Sequence, residues 1–229
     1  DSIIQEKEGK TVELPALDFF KINFISLLVP LYICLGFFLL FEYGFIYLFS
    51  IPLIIHLIVL PGFFLILYYI YLIILIEFVA LWARKWNKKS HPKQGVFQRI
   101  LDDVKSKEGY MIKYYHKRGF IIKYPMWLTS KSPFPWLINR TLRRISHNKI
   151  GKNVIYSDSY VGLEFTDIGD NTFIYPTSGL SSHAVNSIFG KLTILEVKIG
   201  KNNTLYPGII MGCGALTTDN NVIYPNTVL

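Results

Sequence analysis

Residues 150–180 read IGKNVIYSDSYVGLEFTDIGDNTFIYPTSGL, and residues 199–229 read IGKNNTLYPGIIMGCGALTTDNNVIYPNTVL. Stepping by six from Ile150 gives Tyr156, Gly162, Ile168, Ile174 and Leu180. From Ile199 the same step gives Leu205, Met211, Thr217, Ile223 and Leu229, so nine of the twelve positions are Ile, Leu or Met. Glycine follows the aliphatic at Gly151, Gly169, Gly200 and Gly212. Small or β-branched residues stand four places on, at Val154, Thr166, Thr172, Ser178, Ala184, Ala215 and Thr227. A period of six is not the 3.6 of an amphipathic helix, and Gly, Asn, Asp and β-branched residues oppose helix. Such a period marks a repeat architecture. Each hexapeptide supplies one short strand and one turn, and three make a triangular coil of about eighteen residues. The aliphatic points inward and stacks on its equivalent one coil away, Ile150 under Ile168 and Ile199 under Thr217. Gly or Asn serves the corners, where positive φ costs little. The segment from 150 onward therefore reads as an all-β left-handed parallel β-helix.

The step breaks once. Between Val185 and Ile199 lies the thirteen-residue stretch NSIFGKLTILEVK. Insertions in a repeat array leave as loops, and loops on a rigid scaffold often carry the site. Immediately before it stands His183, the only histidine in the repeats.

Working toward the N-terminus, the composition changes. The chain is 51% hydrophobic, with a mean hydropathy of +0.33. Between Lys21 and Glu77 the only Asp, Glu, Lys, Arg or His residues are Glu42 and His56. That block accommodates two membrane passes of about 20 residues each, and it is too long for a signal peptide. The first pass is expected from about Asn23 to Leu48. The second is expected from His56 or Gly62 to Ala83, after punctuation at Pro52 and Pro61-Gly62. A short third or re-entrant segment near 45–60 is the alternative. Trp82, Arg84, Lys85 and Trp86 form an interfacial boundary. Glu42 and His56 are expected near the hairpin turn, close to water, and Glu77 to pair with Arg84 or a partner helix.

From Arg84 to Lys149 there are seventeen Lys or Arg against Asp102, Asp103 and Glu108. Basic charge beside a membrane segment marks the cytoplasmic side and favours anionic headgroups. The expected partner is the lipid bilayer rather than nucleic acid, and the β-helix is expected on the cytoplasmic side of an integral membrane protein. Val96, Ile100, Leu101 and Val104 have helical spacing, and PMWLTSKSPFPWLINRTLRRI ends in an Arg-rich helix candidate. His91, His116 and His147 have no metal-ligand spacing and are expected to be solvated. Cys34 and Cys213 imply no disulfide. The expected organisation is an N-terminal segment over 1–20, a transmembrane helical hairpin over 21–86, a basic aromatic linker over 87–149 and the β-helix over 150–229. The start at Asp1 and the end inside a repeat read as a piece of a longer protein.

A hexapeptide β-helix with a single histidine at an excursion resembles the hexapeptide acyltransferase superfamily. The order of WARKWNKKSHPKQG, FPWLINRTLRRISHNKIGKNV, LEFTDIGDNTFIYPTSGLSSH and VKIGKNNTLYPGIIMGCGAL is most similar to the membrane-embedded C-terminal region of polylysine-synthetase-type non-ribosomal peptide synthetases and their stand-alone relatives. The resemblance implies an acyltransferase that moves an acyl or aminoacyl group from a thioester donor to a hydroxyl or amine. It implies a homotrimer with sites between subunits, and His183 as general base. An imidazole suits that role because it titrates near neutrality. The co-substrate would be acyl-CoA or a carrier-protein thioester, with no tightly bound cofactor and no metal. Glu164 and Asp170 are candidates to orient the imidazole or bind an acceptor amine, although solvated corner residues are the plainer account. Ser182 and Asn186 are candidate hydrogen-bonding neighbours, and Lys198 and Lys201 candidate contacts to a donor phosphate. The alternative is a non-catalytic trimeric scaffold that organises a membrane complex. A carbonic-anhydrase reading of the same coil needs three zinc-binding histidines, and the repeats hold one.

Overall fold

The corners of the repeat region explain its regularity. Asn153, Asn171, Asn202 and Asn220 all sit at φ between 55° and 60°, a conformation asparagine reaches more readily than other side-chain-bearing residues. Their side chains form a ladder: Asn153 Nδ2 donates to Asn171 Oδ1 at 3.0 Å, Asn171 to Asn202 at 3.1 Å and Asn202 to Asn220 at 2.9 Å. Beside it, Asp170 accepts from the Lys152 amide and Asp219 from the Lys201 amide, each at 2.7 Å. Each corner thus bonds to the corner one coil away.

The computed structural model describes residues 9–145, 147–156, 159–162, 164–186 and 190–229. Three parallel sheets make up the C-terminal region. The first joins Lys149–Ile150, Thr166–Ile168 and Val197–Ile199. The second joins Ile155–Tyr156, Phe173–Ile174, Thr204–Leu205 and Val222–Ile223. The third joins Tyr160–Val161, Gly179–Leu180 and Ile210–Met211. The chain visits the sheets in rotation, as eighteen-residue coils require. Ile150 lies opposite Ile168, and Lys198 bridges Leu216, one residue before Ile199 and Thr217. Both expected stacks are present. Between the sheets, Ile168, Ile174, Leu180, Ile199, Leu205 and Met211 are buried in one core. Each fully buried aliphatic of this kind is worth about 1.5–3 kcal/mol.

Two details differ from the six-residue step. Val161, not Gly162, pairs with Leu180. Val161 brings an apolar side chain to the core, whereas a Cβ on Gly162 would meet Ser182 Oγ at 2.9 Å. Across the excursion the partners are 31 residues apart instead of 18, as in Ile168 with Ile199, and the difference is the thirteen inserted residues. The excursion is also not a plain loop. His183–Asn186 pairs antiparallel with Lys191–Ile194, which pairs antiparallel with Gly95–Gln98; residues 187–189 lie outside the described residues. Val96–Gln98 is therefore strand, and Ile100–Leu101 is a strand paired with Lys10–Thr11. The expected helix over 96–104 does not form, because this segment supplies edges to two small sheets. The first eight residues of the N-terminal segment also lie outside the described residues.

Among the described residues, two helices are long and apolar enough to cross a membrane, Ala16–Leu48 (α1) and Leu53–Lys89 (α2). α1 contains two π-helical stretches, Phe24–Leu28 and Gly44–Leu48. α2 runs through Pro61 and Gly62 without a break, since a single proline costs a membrane helix one backbone bond that packing tolerates. No separate segment occupies 45–60; a turn at 49–52 joins the helices. Near that turn His56 Nε2 lies 3.5 Å from Glu42 Oε1.

Beyond them run Lys107–Ser130 (α3) and Leu137–Ile145 (α4). Ser106 caps α3 by accepting from the Gly109 amide at 3.1 Å. α4 is buried on two sides. Leu137 and Ile145 join the core shared with α2 and α3, while Ile138 and Leu142 join the core of the three sheets. Its arginines divide likewise. Of the two partners expected for Glu77 of α2, the structure supplies a neighbouring helix and not Arg84: Arg140 and Arg144 both bind it, and Arg143 Nε donates to the Ile150 carbonyl at 2.9 Å. α4 therefore fixes the apolar helices to the first coil.

Candidate functional site

His183 begins the first strand of the excursion, opposite Ile194. Its backbone carbonyl accepts from Ser181 Oγ at 2.7 Å, and its half-buried ring faces α3. Tyr115, His116, Gly119, Phe120 and Lys123 share one face of α3, by their spacing, and all line the same cleft as His183. The Tyr115 ring stands edge-on to His183, centroids 6.0 Å apart, and edge-on to His116 at 5.5 Å. The cleft has a volume of about 570 Å³. Val12, Glu13 and Leu14 close it from the N-terminal side, Arg99 and Ile194 from the small sheets.

The titratable groups here are perturbed in consistent directions. Burial, with the Lys123 charge adding to it, holds the His183 imidazole below its ordinary value. Burial and the Arg99 charge do the same to His116. Both rings are therefore neutral near pH 7 and able to accept a proton. Burial and the nearby Glu164 carboxylate push the Tyr115 hydroxyl far up, so it remains protonated.

Glu164 is buried, not solvated. Its Oε1 accepts from Arg118 Nε at 2.9 Å, with side-chain exposures of 7% and 2%. Burial raises its carboxyl, and the Arg118 guanidinium pulls against that. Its backbone carbonyl accepts from Ser182 Oγ. Arg118 also donates to the Ser90 carbonyl at 2.9 Å. One buried ion pair thus ties α3 to the coil beneath the excursion, and Glu164 and Ser182 both line the cleft.

The other candidates fall elsewhere. Asp170 serves the corner ladder, beside Lys201. Lys198 is exposed on the first sheet opposite Asp167. Asn186 lies at the far end of its strand, opposite Lys191. None of the four lines the cleft. The break in the repeats marks His183, and the resemblance adds Glu164 and Ser182, but neither points to Tyr115, His116, Arg99, Arg118 or Lys123. His116 is half-buried in the cleft and His147 stacks on Phe165 at 5.5 Å, so of the three linker histidines only His91 is exposed. The one available signal was the shared face of residues 115, 116, 119, 120 and 123. Among the described residues, no three His, Cys, Asp or Glu side chains are grouped to hold a metal.

Fold and site together define a parallel-stranded coil carrying an antiparallel excursion, mounted on two long apolar helices, with a histidine cleft where they meet. A maltose O-acetyltransferase from Clostridium difficile 630 is similar over 50% of this chain and 76% of its own, at 20% identity and a TM-score of 0.37. At that score the likeness carries no functional weight. No family model matches the chain, and no curated protein matches it. The narrower resemblance to polylysine-synthetase-type proteins finds no support in these comparisons.

Proposed function

We propose that the chain is a membrane-tethered acyltransferase, its coil a left-handed parallel β-helix and His183 its general base. The observation that supports this best is a neutral, half-buried imidazole in a cleft of about 570 Å³. In the reaction, a ring nitrogen of His183 takes the proton of an acceptor hydroxyl or amine as that oxygen or nitrogen bonds to the thioester carbonyl carbon. The C–S bond then breaks, and the departing thiolate recovers the proton from the imidazolium. The donor is acyl-CoA or a carrier-protein thioester, and no tightly held cofactor is needed. α1 and α2 anchor the enzyme in the bilayer, with the basic stretch and the coil on the cytoplasmic side.

The alternative scaffold role is favoured by outward-facing apolar residues on the sheets: Ile155, Val222, Ile210 and Val228 are each about half exposed or more. These suit a homotrimer, which either reading accommodates. The test is thiol release from a panel of acyl-CoA and acyl-pantetheine donors, comparing the wild-type protein with His183→Ala and His183→Gln. Loss of about 10²–10⁴-fold in kcat is expected for both variants. Undiminished turnover in both removes His183 as base, and no turnover by the wild type on any donor leaves the scaffold.

A further inference from the structure

The cleft is lined by two chemically different sets of side chains. Val12, Leu14, Phe19, Phe120, Val185 and Ile194 supply apolar lining. Phe19 lies in the first turn of α1, the helix that continues through the first apolar span, and its ring meets Phe120 edge-on at 4.7 Å. The apolar wall is therefore continuous with a helix fit to cross a bilayer. The polar lining includes Arg99 and Lys123, and among the described residues neither forms an ion pair. Of the two carboxylates lining the cleft, Glu164 is neutralised by Arg118, which leaves Glu13. Two cations thus stand against one carboxylate, with both imidazoles neutral. A cationic acceptor is disfavoured in such a field and an anionic one favoured.

We propose that the cleft takes a membrane-borne amphiphile with an anionic head group, its alkyl chain along Phe19 and Phe120 and its charge against Arg99 and Lys123. This deepens the reading of His183 by naming its acceptor as an alcohol of that class; binding itself needs no imidazole. The ligand arrives from the bilayer along the wall that α1 supplies. A head group alone lacks the apolar contacts, and a neutral amphiphile lacks the ionic ones.

The test is calorimetric titration of the full chain in neutral maltoside detergent with dodecyl phosphate, inorganic phosphate and a neutral dodecyl polyethylene glycol ether. Dodecyl phosphate is expected to bind at least about tenfold more tightly than either other probe, and Arg99→Gln/Lys123→Gln to remove about that factor, equivalent to about 1.4 kcal/mol. Gly119→Leu supplies a second route. A Cβ at this cleft-lining position meets no heavy atom within 4 Å, and leucine favours helix over glycine. It is expected to fold, fill the cleft and weaken dodecyl phosphate about tenfold or more. Wild-type affinity in the double charge variant overturns the proposal, as does equal affinity for inorganic phosphate, which would mark a free-phosphate site. Binding unchanged by Gly119→Leu would place the probe on the apolar helices instead. His183→Ala separates the two readings. Its full activity beside weakened dodecyl phosphate binding in Arg99→Gln/Lys123→Gln would sink the base and leave this site standing. An inactive His183→Ala beside a double charge variant that binds normally would do the reverse.

Discussion

The coil and the cleft are built by opposite means. In the coil, strands that the excursion does not separate find their partners eighteen or nineteen residues on, as Lys149–Ile150 finds Asp167–Ile168. In the cleft, Glu164 is held by Arg118 from 46 residues away, and the Lys191–Ile194 strand pairs with Gly95–Gln98 near the end of the apolar helices. Repetition makes three parallel sheets that differ little from one another. The function we propose depends on the one place where the repeat is broken and another part of the chain is drawn onto it.

That contrast breaks most sharply at Arg118. Removing the guanidinium leaves a buried carboxylate without its counter-charge, a change that typically costs about 3–5 kcal/mol. Arg118→Ala is therefore expected to lower the unfolding free energy of the detergent-solubilised protein, read from denaturant melts, by that order. Replacing both partners, as in Arg118→Met/Glu164→Leu, removes the stranded charge and is expected to restore most of the loss. If the single variant is as stable as wild type, α3 is not joined to the coil through this pair. A restored double variant that still lacks acyl transfer would show that the pair matters to the cleft beyond stability.

The same contrast explains what could be read before the structure was known. Ile150 over Ile168 follows from spacing, because period and partner are both local to the repeat. The asparagine corners follow too, since few other residues accept positive φ cheaply. The slip to Val161 does not follow, because Gly162 fits the six-residue step and only packing against Leu180 and Ser182 decides between them. In the linker, Val96, Ile100 and Leu101 have helical spacing, yet their edges are claimed by strands at 191–194 and 10–11. His183 could be singled out because it interrupts a pattern. His116 could not, because it lies in a helix with no repeat to interrupt, and its burial depends on an excursion distant in sequence. Glu164 reads as a solvated corner for the same reason: Arg118 is invisible from its neighbourhood.

A smaller effect sharpens the account of the coil. Asn171 sits at φ 57°, accepting from Asn153 and donating to Asn202. Asn171→Ala would put a Cβ-bearing residue with no polar group into the left-handed region, at about 1–2 kcal/mol, besides losing both ladder bonds. Asn171→Gly loses the bonds but not the conformation, so it is expected to be more stable than Asn171→Ala by about 1 kcal/mol. Thermal or denaturant melts of the two variants check the order. Equal stability would mean that the corner conformation, unlike the stacking, is not under local control.

The smallest effect separates the cleft from the coil by charge. Burial comes first in holding His183 below its ordinary value near 6.5, and the exposed Lys123 adds to it. A general base works in its neutral form, so activity is present above the folded-state pKa and is lost as pH falls through it. The acid limb of kcat/KM is therefore expected below pH 6.5 in the wild type. In Lys123→Gln the Coulomb contribution disappears while burial remains, so the limb should move upward, toward 6.5 but not past it. The shift should shrink in high salt, because Lys123 is exposed and its field is screened. A limb that stays in place would mean that burial alone sets the imidazole. A limb that moves downward would assign the titration to another group.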